Sequence, residues 1–222
     1  MLGLRRTGVA EQGSVLIGTL MVMAVLGTLG AALALVVSTE SIAAANYEAA
    51  QQTLYAADAG LERAVGELRR RASWRDVPGP ASVSSASDFY DGLTIPRAPD
   101  GTSLDLLQLT TRRQTDSNAV YPNTPVRPVW RLFGHASLNR ITAGTASAPP
   151  YVVVWVADDP DDLDGDPAVD TNDAVMVHAD AFGIRGGHRA IEATLQREEA
   201  LAAGLPGVVR SDVRLIAWRE VR

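Results

Sequence analysis

The first clear pattern in the chain is an absence. From Ser14 to Thr39 there is no charged residue. The run LIGTLMVMAVLGTLGAALALVV inside that window has no preferred apolar side. At about 1.5 Å per residue such a helix crosses a hydrocarbon core of roughly 30 Å. A cleaved secretory signal usually has a shorter apolar region, of about 7 to 15 residues, so the pattern predicts a spanning helix. Arg5 and Arg6 precede it, and after it come Glu40 and Glu48 with no arginine until Arg63. The positive-inside rule then puts the N-terminus in the cytoplasm and everything beyond about residue 40 outside.

Past the span the pattern changes but the predicted helix does not stop. The segment STESIAAANYEAAQQTLYAADAGLERAVGELRRRA is rich in helix formers, and no proline occurs before Pro78. Tyr47, Ala50, Leu54, Ala57, Leu61, Ala64 and Leu68 recur at alternating spacings of three and four, which puts them on one stripe. A one-sided helix to about Ala72 is expected, its stripe covered by the chain's own sheet. Gly60 interrupts it, marking a kink or a close contact.

Farther on, Arg75 to Asp100 is rich in Pro, Ser, Gly and Asp and reads as a long connection. Strand-like runs follow at Val126 to Ala136, Tyr151 to Ala157, Ala174 to Phe182, His188 to Gln196 and Arg214 to Trp218. Val175, Val177, Ala179 and Ala181 alternate with Met176, His178, Asp180 and Phe182, and Ile191, Ala193 and Leu195 alternate with Glu192, Thr194 and Gln196. One buried face per strand is expected, with the helix stripe as its cover. The predicted fold class is α+β: a long N-terminal helix, membrane-spanning in its first half, packed on an antiparallel β-sheet. The predicted organisation is a leader at 1–13, a transmembrane helix at 14–39, its amphipathic continuation at 40–72, and an exported β-rich domain with long connecting loops at 73–222.

Composition narrows the chemistry. The formal charge is −6, yet Asp158 to Asp173 alone holds eight aspartates, so the acidity is local. All 20 basic residues are arginine, scattered without a basic stripe, and nucleic acid is not an expected partner. There is no cysteine, which removes disulfides and thiolate chemistry.

A basic leader ending in Gln12-Gly13, a long apolar helix, and YAADAGLERA at Tyr55 to Ala64 together resemble the N-terminal region of PilX-type minor pilins. More distantly they resemble the K-type pseudopilins of type II secretion. The likeness covers roughly Glu11 to Leu68, with Ala57, Asp58, Ala59, Gly60, Leu61 and Glu62 as its motif, and LIAWREV near the C-terminus looks like the terminal strand of the same group. The resemblance implies a pilin-like fold and cleavage by prepilin peptidase between Gly13 and Ser14, with N-methylation at Ser14. It also implies residence as a single-pass inner-membrane protein and then transfer into an extracytoplasmic filament. Its implied partners are other pilin subunits, the prepilin peptidase, the inner-membrane assembly platform and the lipid bilayer. One departure matters: major pilins usually carry glutamate at the fifth mature position, and here that position is Gly18. This resembles subunits at a filament tip or rare subunits of the shaft.

The sharpest chemical candidate is DDPDDLDGDPAVDTND, between two predicted strands. Counted from Asp162, acids fall at positions one, three, five, nine and twelve through Asp164, Asp166, Asp170 and Asp173, close to the spacing of a calcium loop. The match is partial, since Gly165 is not at position six and no helices flank the loop. A Ca2+ loop and a solvated acidic hairpin both stand as readings. His135, His178 and His188 lack metal-ligand spacing and are expected as strand or turn residues, and Trp130 and Trp155 as core. No G-x-S-x-G, H-E-x-x-H or phosphate loop occurs, and no enzyme is expected. Two function classes follow: a structural assembly protein, and a membrane-anchored, calcium-dependent extracytoplasmic binding protein.

Overall fold

A computed structural model describes residues 8–80, 89–122, 124, 127–201 and 209–221. Helix α1 runs from Gly8 to Arg69, and the chain divides inside it into two compact units, Met1–Glu48 and Ala49–Arg222. Of the predicted leader, residues 1–7 lie outside the described residues.

In the first unit the apolar side chains of α1 are exposed on every side, from Val15 through Leu20, Met23, Leu26, Leu29 and Leu33 to Val37. The threonine hydroxyls on this stretch bond back to the helix itself. Thr19 Oγ1 donates to the Leu16 carbonyl at 2.9 Å, Thr28 to Val25 at 2.8 Å and Thr39 to Leu35 at 2.9 Å. A hydroxyl bonded back in this way needs no water, the condition a bilayer imposes. By length and composition this helix can cross a membrane, and none of its apolar window is buried within the fold.

In the second unit α1 buries Ala49, Thr53, Ala56, Ala57, Gly60, Leu61, Ala64 and Leu68. The stripe starts later than the spacing predicts: Tyr47 is exposed, and Ala50 and Leu54 are half-buried. Gly60 marks a close contact, because a Cβ there would overlap Cγ1 of Val152. Small residues let the helix sit low on the sheet, where Leu61 and Leu68 each contribute about 1.5–3 kcal/mol by burial. The helix ends at Arg69, about three residues before the predicted end. Trp74, fully buried, folds back and donates Nε1–H to the Leu68 carbonyl at 3.1 Å, which takes up an acceptor left open at the helix end.

The sheet is an antiparallel meander in the order β1 (Arg131–Ser137), β2 (Tyr151–Asp158), β3 (Ala174–Phe182), β4 (His188–Leu201) and β5 (Val209–Val221). A short helix α3 (Leu138–Thr142) follows β1, and a 3-10 turn, Ile184–Gly186, joins β3 to β4. Val152, Val154, Val156, Val175, Val177, Ala179, Ala181, Ile191, Ala193 and Leu195 form one core with the α1 stripe.

Over β2 and β3 the other face is not open to solvent either. Helix α2 (Leu106–Val120) and the segment before it cover Tyr151, Val153, Trp155, Ala157 and Met176, with Ala98, Leu104, Leu106 and Trp130 between them. The expectation of a single buried face is corrected here: β2 is buried along its whole length and β3 in all but its last residue. A strand apolar at every position, YVVVWVA, requires a cover on both sides. The long connection is likewise less exposed than its composition suggests, since Val77, Phe89 and Ala98 belong to the cores.

Candidate functional site

The acidic loop links the end of β2 to the start of β3, and its own side chains explain how it turns. Asp162 Oδ1 accepts from the Asp164 amide at 3.2 Å, Asp164 from the Asp166 amide at 2.8 Å, and Asp166 from the Ala168 amide at 3.1 Å. Aspartate bonded to the backbone two residues on is a local turn former, so a D-x-D-x-D run produces successive turns. Thr171 closes the loop, its amide donating to Asp162 Oδ2 at 2.7 Å and its hydroxyl to Asp162 Oδ1 at 2.7 Å. The Asp170 amide donates to the Arg75 carbonyl at 2.9 Å, which ties the loop to the chain just after α1.

The loop's predicted ligands do not all converge. Carboxylate oxygens of Asp162 and Asp164 lie with one from Asp158, all within 4.8 Å of one another. Asp170 is buried beside them; its charge raises the proton affinity of Asp158, and the charge of Asp162 raises that of Asp170 in turn. Asp166 is exposed and engaged with Ala168, and Asp173 turns away to Arg197 at 3.3 Å. Asp158 is outside the predicted set, which is counted from Asp162, and outside the predicted strand, which ends at Ala157; the structure makes it the last residue of β2, paired in register with Val175.

Asp158 is also the loop's electrostatic anomaly. It is fully buried, and neither oxygen receives a hydrogen bond of proper geometry. Burial pushes its carboxyl up to about 8, the Asp162 and Asp170 charges add to the rise, and the Asp159 amide offsets only part of it. Asp170 is raised to about 6, again mainly by burial, and its Oδ2 is buried without a partner. Asp162 moves the other way: burial opposes the charge, but the Thr171 amide and hydroxyl outweigh it.

A second polar cluster sits under α2. His178 Nε2 is 2.8 Å from Asp180 Oδ1, and His178 Nδ1 is 3.3 Å from Glu192 Oε2. Glu192 also pairs with Arg219 and lies 3.8 Å from Arg113, whose guanidinium stands 5.5 Å over the Trp130 ring. Burial disfavours a charge on His178, yet its bonds to Asp180 and Glu192 prevail and hold its pKa above the ordinary value. Burial likewise opposes charge on Asp180 and Glu192, but the two imidazoles hold Asp180 well below the usual carboxylate range, and His178 with Arg219 and Arg113 lowers Glu192. Each charge faces an opposite one, so the cluster fastens α2, β3, β4 and β5 together. The alternation of β3 and β4 had put these groups on a face read as wet. Register places His178 directly across from Glu192, a pairing the sequence alone does not display.

His135 is also a strand residue, as expected. Its Nδ1 lies 2.8 Å from the Tyr151 hydroxyl and 3.1 Å from Asp91, and Tyr151 donates to Asp91 at 2.6 Å. Burial lowers the His135 pKa despite Asp91, and it raises that of Tyr151, with Asp91 adding to the rise. His188 stacks on Phe182, and Trp130 and Trp155 are core residues.

In the motif on α1, Ala57, Gly60 and Leu61 are buried against the sheet, Ala59 is half-buried, and Asp58 and Glu62 are exposed. Asp58 and Glu62 border a cleft with Val65, Val213, Leu215 and Trp218. Ser14 lies on α1 at the start of the exposed apolar stretch. No family model, curated protein or solved structure matches the chain.

Proposed function

We propose that the chain is a minor-pilin-like structural subunit, processed by prepilin peptidase after Gly13 and taking part in assembly of a type IV pilus or related pseudopilus. The observation that carries this reading is the division of labour along α1. Val15 to Val37 is apolar and exposed all round, whereas Ala49 to Leu68 is bound to its own sheet along one stripe. A simple anchor needs only the first property. A subunit of a helical filament needs both, because its apolar part must be solvated by lipid before assembly and by sister helices after it. Gly18, Gly27 and Gly30 have no neighbour within 4 Å, which leaves room for close approach by another helix. The missing glutamate at position 18 supports a tip or rare shaft position. The expected partners are other pilin subunits, the peptidase and the inner-membrane assembly platform.

Intact mass of the chain from cells with and without the peptidase tests this. Loss of the first thirteen residues and a methylated Ser14, both dependent on the peptidase, are expected. A leader retained in cells that process their other pilins would contradict the proposal and favour a permanently anchored extracytoplasmic binding protein.

A further inference from the structure

We infer that the turn between β2 and β3 is a calcium site built on Asp158, Asp162 and Asp164, with Asp170 beside them. The inference is independent of the filament reading, since it concerns only the Ala49–Arg222 unit.

Clustered aspartates on a loop are common without a metal, and the turns formed by Asp162, Asp164 and Asp166 need none. The decisive observation is Asp158. It belongs to a strand, is fully buried, and has two oxygens without hydrogen-bond partners, one of them in a group of carboxylate oxygens within 4.8 Å of one another. A third orphaned oxygen, Asp170 Oδ2, is buried in the same loop. Native folds pair nearly all buried polar atoms, and a buried carboxylate facing other carboxylates is the least tolerable exception. Arginine does not supply the missing charge: among the described residues the loop's ion pair is Arg197 on Asp173, away from the cluster.

The donor set selects the ion. It is all oxygen, with no histidine or cysteine in the loop, which favours a hard cation. Calcium accepts carboxylate oxygens at about 2.3–2.6 Å, so two of its ligands can lie up to about 5 Å apart, a span that includes the observed one. Magnesium demands a tighter octahedron and keeps more water. Bound calcium would join the end of β2 to the loop that leans on Arg75, stiffening the connection between sheet and helix end.

The test uses the full chain in detergent, stripped with chelator, with calcium titrated by calorimetry and unfolding followed by tryptophan fluorescence. Saturable binding of one calcium per chain and a rise in melting temperature are expected, with a smaller response to equal magnesium. Asp158→Asn should weaken calcium binding at least about tenfold, since loss of even an indirect ligand contact costs that much. It should leave the calcium-free melting temperature equal or higher. Asp164 is exposed, so Asp164→Asn retains the fold and should weaken binding comparably, whereas Asp166→Asn and Asp173→Asn should bind within about twofold of the parent. No calcium-dependent heat or melting shift at millimolar metal would overturn the inference. So would undiminished binding in Asp164→Asn, or a response at least as large to magnesium.

Discussion

The two halves of α1 are made from similar residues and meet different demands. Between Ser14 and Thr39 leucine, valine, alanine and glycine point in all directions and are exposed; between Ala49 and Leu68 alanine, glycine and leucine keep to one side and hold a sheet. Glycine shows the contrast best, for Gly27 has open space around it while Gly60 is pressed against Val152. A helix is therefore not apolar for one reason. All-round greasiness answers to an external solvent, and one-sided greasiness answers to the chain's own core.

Substitutions should separate the halves. Leu61→Ala or Leu68→Ala should destabilise the Ala49–Arg222 unit by about 2–5 kcal/mol, the range for emptying a packed leucine site. Leu29→Ala and Leu33→Ala should leave its unfolding unchanged; chemical denaturation in detergent reads both. The mirror experiment is Leu26→Arg, which should oppose membrane insertion by about 2.5–3.5 kcal/mol while the sheet unfolds as before, as measured by an insertion assay beside the same denaturation curve. Gly60→Val should cost about 1–3 kcal/mol through overlap with Val152, and Gly27→Val should not alter melting of the sheet unit.

The smallest effect separates the halves by pH. No side chain between Ser14 and Thr39 titrates, whereas His178 is enclosed by Asp180, Glu192 and Arg113, with His188 beyond Asp180 and Arg219 beyond Glu192. The His178 pKa is raised by folding, so its stabilisation is complete below the ordinary imidazole value and is lost as pH rises through the folded one. Asp180 and Glu192 are lowered by folding, so theirs is complete above ordinary carboxylate values and is lost as pH falls through the folded ones. Unfolding midpoints from pH 6 upward should decline less steeply in His178→Gln than in the parent. An unchanged slope would mean that the imidazole is neutral in the fold.

Much of this architecture was legible in sequence because periodicity is a local signal. The β3 boundaries at Ala174 and Phe182 follow directly from alternation, and the α1 stripe from its spacing. Helix α2 was not legible: its buried residues are Leu106, Arg113 and Ser117, two of them polar, so it has no apolar stripe to read. The available hint was Asp105 ahead of Leu-Leu-Gln, where its carboxylate accepts from the Leu107 and Gln108 amides at 3.0 Å. Without that cover, alternation alone leaves His178, Asp180 and Glu192 on a wet face. In the acidic loop, counting located Asp162 and Asp164, but the contribution of Asp158 depends on burial, which spacing does not encode.

The natural absence of cysteine allows the contrast within α1 to be measured directly. Single cysteines placed along residues 16–36 and 49–68 of the membrane-resident chain, probed with a membrane-impermeant maleimide, report which sides of the helix meet water. No labelling is expected on any side of the first stretch. In the second a period near 3.6 is expected, with Tyr55, Asp58 and Glu62 positions reactive and Ala56, Ala57 and Leu61 positions protected. Periodic labelling in the first stretch, or uniform labelling there, would show that it lies in water, contradicting the claim that lipid and then neighbouring helices are its surroundings.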